Sequence, residues 1–106
     1  MVKSKRSKAC EFSRNERDEI YKRDKGKCIF CGSEYQLTYA HLVPRSKSGR
    51  GIKENGALVC LEHHMTMDNP IGHQQVAESK SLKERFRKHL DKHYPGFTDE
   101  ERKYRK

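Results

Sequence analysis

The chain has 106 residues, 37% of them charged and only 32% hydrophobic, which suits one small domain with a thin apolar core whose stability a structural metal would supplement. Lys and Arg number 24 against 15 acidic residues, a net charge of +9 that points to a polyanionic partner, nucleic acid above acidic lipid. No apolar run is long enough to cross a bilayer, and no amphipathic stretch carries the bulky apolar face that would lie on one.

Residues 1–11 are rich in Lys and Ser and read as a flexible basic arm without a signal peptide. That predicts a reducing cytoplasm, where four cysteines serve better as metal ligands than as disulfides. Ser13-Arg14-Asn15-Glu16 has capping-box spacing and opens a first helix over about Arg14 to Asp24, which Gly26 ends. Cys28-Ile29-Phe30-Cys31-Gly32 reads as a tight metal-binding turn, with Gly32 supplying backbone freedom. A strand is predicted over Leu37–Val43, stopped by Pro44, and a second over Ala57–Val59, the two pairing antiparallel around the flexible basic loop Ser46–Gly51. A short helix is expected from Leu61, carrying His64 and Asp68, with Pro70 and Gly72 ending it. A third helix is predicted over Glu78–His93, because Leu82, Phe86 and Leu90 recur every four residues as one core-facing stripe. Pro95-Gly96 stops that helix, and 98–106 form a charged C-terminal tail around a domain spanning 12–97.

Two knuckles stand out. Cys28 and Cys31 bracket two residues, and Cys60 and His63 do the same. Two such pairs can converge on one tetrahedral ion, and thiolates with imidazole are the donors zinc favours. Four protein ligands close the coordination shell, so this zinc is expected to hold the fold rather than do chemistry. Either His63 or His64 could supply the fourth ligand; the spacing favours His63 and leaves His64 for other work. Cys10 is left over as a free thiol. Arg45, Lys47, Arg50 and Lys53 crowd the loop beside these residues and suit sequence-independent contact with a DNA backbone.

In order and spacing, Cys28-x-x-Cys31-Gly32, Ala40-His41-Leu42-Val43-Pro44-Arg45-Ser46, Glu54-Asn55 and Cys60-Leu61-Glu62-His63-His64 resemble the HNH endonucleases, in particular small phage-encoded members with zinc knuckles. The likeness covers about Phe12 to Asn69, and Leu90 to Phe97 is similar to the C-terminal segment of phage members. It implies an α+β fold of the ββα-metal, treble-clef-like kind, with flanking helices and a structural zinc. It further implies His41 as general base, Asn55 as the residue fixing the hairpin that aims it, and His64 as ligand of a catalytic divalent ion, Mg²⁺, Mn²⁺ or another transition metal. Asp68, four residues after His64 on the same helical face, can chelate the same ion. The implied activity is hydrolysis of DNA phosphodiesters to 3′-hydroxyl and 5′-phosphate ends, a nick from each single site. The implied setting is a bacterial host cytoplasm, as a monomer or weak dimer, with phage terminase or packaging proteins as partners.

One departure matters. Many members carry Asp or His immediately before the general base as another ligand, whereas this chain has Ala40, which cannot coordinate. A zinc-stabilised DNA-binding module without catalysis therefore stands as the alternative, and a protein-interaction zinc domain as a third reading.

Overall fold

The structure is a computed structural model that describes residues 5–105, the Arg6 side chain excepted. Two strands, β1 (Leu37–His41) and β2 (Gly56–Cys60), pair antiparallel with Leu37 opposite Cys60 and His41 opposite Gly56. Around this hairpin lie α1 (Lys5–Ala9), α2 (Arg14–Arg23), α3 (Leu61–Asp68) and α4 (Gly72–His93), giving a small α+β fold. The period-2 alternation of a strand explains the layering. Ala40, Ala57 and Val59 face a core shared with Met67, Leu82, Phe86 and Leu90 of α3 and α4. The opposite face of the hairpin meets Phe12 and α2. A Cβ on Gly56 would fall 2.5 Å from the Phe12 ring and 2.8 Å from Ile20, so only glycine admits that approach. All five residues of β2 are buried because it is covered from both sides.

Local signals explain most boundaries. The Glu16 N–H donates to Ser13 Oγ at 3.2 Å, capping α2. The apolar stripe Leu82, Phe86 and Leu90 is fully in the core. Elsewhere the structure corrects the sequence-based expectations. The stretch taken as a flexible arm is helical from Lys5 to Ala9 and ends in a buried Cys10; residues 1–4 of that arm lie outside the described residues. α4 begins at Gly72 rather than Glu78, and Gly72 opens this helix instead of ending α3. Its first two turns are solvent-exposed, so no apolar period announced them; the Ile71 N–H is capped instead by Gln75 Oε1 at 2.9 Å. β1 stops at His41, two residues before the expected end, and β2 gains Gly56 and Cys60.

The loop and the charged tail also differ from expectation, for one reason. The Arg50 N–H donates to Arg102 O at 2.7 Å, the Tyr104 N–H donates to Ser48 O at 2.7 Å, and Gly49 bridges to Lys103. The tail thus closes over the loop. Its Arg102 is buried, with Nε donating to Glu54 O at 2.7 Å and NH1 bound to Asp99 at 2.9 Å. Docking of this kind uses backbone groups and a charged side chain, which a hydropathy pattern does not register.

A buried ion pair ties the layers together. Arg23 grips Asp24 through Nε at 2.8 Å and NH2 at 2.9 Å, and also donates to Lys53 O, Gly56 O and the Tyr94 hydroxyl. Asp24 in turn accepts from the Leu58 N–H of β2 at 2.9 Å and contacts His89 Nε2 of α4 at 2.8 Å. Burial alone would raise the Asp24 pKa, but the bonds from His89, Arg23 and Leu58 outweigh it and hold the group at about 2. A carboxyl held below its unfolded value stabilises the fold at pH above about 4 and loses that contribution as the pH falls towards 2, a contribution of about 2 kcal/mol. Asp24→Asn is therefore expected to lower unfolding free energy at pH 7 by about 3 kcal/mol or more. Its deficit relative to wild type should shrink between pH 4 and pH 2 in denaturant titrations; a deficit independent of pH would contradict the assignment.

Candidate metal centre and histidine site

The Cys/His cluster is built from two local turns. Cys60 is the N-cap of α3 and His63 lies in its first turn, so the two-residue spacing sets both on one side of the helix start. Cys28 and Cys31 flank a turn in which the Gly32 N–H donates to Cys28 O at 2.9 Å, with Gly32 at φ +75°. The Ile29 N–H donates to Leu58 O at 3.0 Å and pins this turn against β2. As a result one donor atom from each of Cys28, Cys31, Cys60 and His63 falls within 4.8 Å of all the others.

The spacing fits an ion. Cys31 Sγ and Cys60 Sγ are 3.9 Å apart. A tetrahedral zinc with bonds of about 2.3 Å to sulfur separates two sulfurs by about 3.8 Å. Cys60 Sγ lies 3.1 Å from His63 Nδ1, a few tenths inside the matching sulfur–nitrogen edge. The thiols also differ electrostatically. Burial raises Cys28, yet N–H donation from Cys60, Cys31 and Phe30 to its sulfur brings it below the ordinary thiol value. Cys60 is pushed up to about 11 by burial and by the neighbouring Cys28 charge. A bound cation is what allows all three sulfurs to ionise together. This group can hold a structural metal ion such as zinc, and His63, not His64, is the histidine whose ring nitrogen joins the three sulfurs.

His64 follows His63 by one residue and so leaves α3 about 100° further round the helix. It meets β1 instead: His64 Nδ1 is 2.7 Å from Thr38 Oγ1, whose single proton goes to Val59 O at 2.7 Å. Thr38 must then accept, so His64 Nδ1 carries the hydrogen and Nε2 is left with its lone pair. Nε2 faces Asp68 Oδ2 at 2.9 Å. Two acceptors at that distance require a shared proton or cation. Adjacent ligands of an octahedral ion with bonds of about 2.05 Å lie about 2.9 Å apart, so the pair also fits a small divalent cation.

His41 ends β1 on the opposite face from Thr38. Its Nε2 is 2.8 Å from the Cys10 carbonyl oxygen, which can only accept, so the hydrogen sits on Nε2 and the lone pair on Nδ1. The Phe12 ring lies against it, centroids 4.2 Å apart and planes 30° apart. Burial lowers the His41 pKa; the Cys10 carbonyl bond opposes this, Arg45 and His64 lower it further, and Asp68 raises it. His41 is thus in the electrostatic field of the His64–Asp68 pair although it makes no hydrogen bond to either among the described residues.

Asn55 is fully buried and holds the connection between the strands. Its Oδ1 accepts from the Val43 N–H at 2.8 Å, while Nδ2 donates to Val43 O at 3.1 Å and Arg50 O at 2.8 Å. The Leu42 N–H donates to Asn55 O at 2.9 Å as well, so the turn just after His41 is fixed at three points by one residue.

An open groove of about 460 Å³ runs over His41, lined by Glu11, Phe12, Arg17, Tyr39 and Arg45. Of the four basic loop residues, Arg45 borders this groove and Lys47 is exposed. Arg50 is tied to the tail through NH1 and Glu101 O at 3.0 Å, and Lys53 is half-buried with its carbonyl held by Arg23. The structure therefore does not gather all four on one free surface. The sequence reading missed Arg17, Thr38 and the Cys10 carbonyl. Capping-box logic placed Arg17 on a helix but gave no facing, and a backbone carbonyl leaves no sequence signal.

Metal analysis of the purified protein is expected to give one tightly held zinc per chain. Cys60→Ser should lose it and lower the melting temperature by about 10 °C or more, as loss of a four-ligand site removes folding energy directly. Asn55→Ala should cost about 3 kcal/mol in chemical denaturation, because it strands the Val43 N–H and two carbonyls in a buried turn. Asn55→Asp should cost at least as much, since a carboxylate repels the Val43 and Arg50 carbonyls. Protein-family profiles, curated proteins and solved structures were all compared with the chain, and none matches.

Proposed function

We propose that the protein is a metal-dependent endonuclease of the HNH kind that hydrolyses phosphodiester bonds in DNA. The observation that carries this reading is His41. It is an imidazole whose Nε2–H is fixed on a carbonyl, whose Nδ1 keeps a lone pair, and which sits in a groove bordered by two arginines. A neutral imidazole with one nitrogen fixed and the other basic is the arrangement that removes a proton from water near neutral pH. The net charge of +9 suits a polyanionic substrate.

In this reading His41 Nδ1 takes a proton from water as the water oxygen forms its bond to phosphorus, and the bond from phosphorus to the 3′ oxygen breaks, that oxygen taking a proton from solvent to leave as the 3′-hydroxyl. The Cys10 carbonyl holds the imidazolium that results. Arg45 and Arg17, which line the same groove, would bear on the phosphate oxygens. A divalent ion such as Mg²⁺ or Mn²⁺, held by His64 Nε2 and Asp68, would supply positive charge beside the phosphate and the leaving oxygen. Association with packaging proteins remains part of this proposal through the sequence resemblance alone.

One observation favours a second reading, a zinc-stabilised DNA-binding module without catalysis. Ala40 is completely buried in the core and offers no donor, and among the described residues the only group of three or more metal-binding side chains is Cys28, Cys31, Cys60 and His63. The proposed catalytic ion would thus rest on two protein ligands.

Incubation with supercoiled plasmid separates the two. The protein is expected to nick it with Mg²⁺ or Mn²⁺, to stop when chelator is added, and to lose about 10²-fold or more in rate as His41→Ala. Because the His41 pKa is lowered, the unprotonated base persists below the ordinary histidine value. The acid limb of the pH–rate profile should accordingly fall below pH 6.5. DNA retardation without cutting under every divalent ion would leave the binding module as the better reading.

A further inference from the structure

We propose that the segment Ala9–Phe12, between α1 and α2, is a positioning strap that sets the orientation of His41 and forms one wall of the groove above it. The proposal deepens the endonuclease reading, since it concerns the residue assigned there as the base. Three contacts carry it. The Cys10 carbonyl, on a residue only 2% exposed, accepts from His41 Nε2 at 2.8 Å. Phe12 lies against the same ring with centroids 4.2 Å apart. Glu11 and Phe12 line the groove together with His41.

The strap is itself held from the loop. The Gly51 N–H donates to Ala9 O at 2.9 Å, and the backbone there comes so close that a Cβ on Gly51 would lie 2.1 Å from the Glu11 carbonyl carbon and oxygen. Gly51 follows Arg50, whose carbonyl is bound by Asn55 Nδ2 at 2.8 Å. The hairpin turn, the strap and the imidazole thus form one connected chain of contacts: Asn55 fixes Arg50, Gly51 fixes Ala9, and Cys10 fixes His41. Among the described residues no hydrogen bond from β1 itself holds this ring, and a strand-end side chain can choose among its staggered χ1 rotamers. The strap supplies the missing constraint from a segment 31 residues away in sequence. Side-chain placement to within a fraction of an ångström is what general-base chemistry requires.

Gly51→Ala in the full chain tests this directly, since it pushes the strap away without changing charge or any groove side chain. In the wild type the His41 Nε2–H should appear as a slowly exchanging imidazole proton in ¹⁵N-edited NMR near neutral pH. In Gly51→Ala that signal should disappear, and the nicking kcat should fall on the order of 10²-fold with KM little changed. A Gly51→Ala protein that keeps both the protected proton and the wild-type kcat overturns the proposal. Zinc content and circular dichroism show whether this variant folds. If it does not, Phe12→Ala carries the test, with weakened protection of the same proton and a lower kcat expected and unchanged values overturning the strap. A wild type that never nicks would remove the endonuclease reading, while the Nε2–H signal would still decide the strap.

Discussion

The structure depends most on one buried pair, Arg23 and Asp24. Adjacent in sequence at the end of α2, they reach into β2, α4 and the segments beside them: Asp24 takes the Leu58 N–H of β2 and His89 of α4, while Arg23 takes carbonyls at Lys53 and Gly56 and the Tyr94 hydroxyl. A chain that is only 32% hydrophobic has little apolar area with which to lock helices onto a two-stranded sheet. A desolvated ion pair with every principal oxygen bonded supplies what the core lacks in specificity of position. It is costly if half removed, because the remaining charge would be buried alone. It also fixes the β2 start at Gly56, directly opposite His41, so the register of the hairpin and the position of the histidine are set by the same contacts.

Two histidines next to each other in sequence end up in different environments through helix geometry alone. His63 joins three cysteines, and His64 turns about a quarter of a circle away to Thr38 and Asp68. The cysteine cluster anchors the start of α3 to the turn before β1, and that anchoring is what presents His64 to Thr38. A metal in the first group therefore bears on the second without sharing a ligand with it. His41 belongs to the other face of the hairpin. It is coupled to the His64–Asp68 pair by electrostatic field rather than by contact, while Asn55 fixes the turn that follows it.

Some of this was legible beforehand, and the residues show why. Cys28, Cys31, Cys60 and His63 were legible because a metal knuckle is a local motif, two ligands per turn, and the spacing carries the geometry. α2 was legible through its Ser13 cap and the middle of α4 through its apolar stripe, since both signals lie within one or two turns. The first turns of α4, the buried Cys10 and the docked tail with Arg102 were not legible. Their partners lie far along the chain and are backbone carbonyls or buried charges, which leave no periodic trace.

The sequence by itself determined the residue types able to bind a metal or accept a proton, the local turns that pair them, and the net basic charge. These follow from side-chain chemistry and short-range spacing, which any conformation of the chain preserves. Only the tertiary structure decided which atoms of those residues face which way. It put the hydrogen of His41 on Nε2 by setting a carbonyl there, left His64 Nε2 towards Asp68 by spending the Thr38 proton on Val59, and divided the basic loop between a groove and a docked tail. Orientation of this kind is fixed by contacts between segments tens of residues apart, and those distances exist only once the chain has folded.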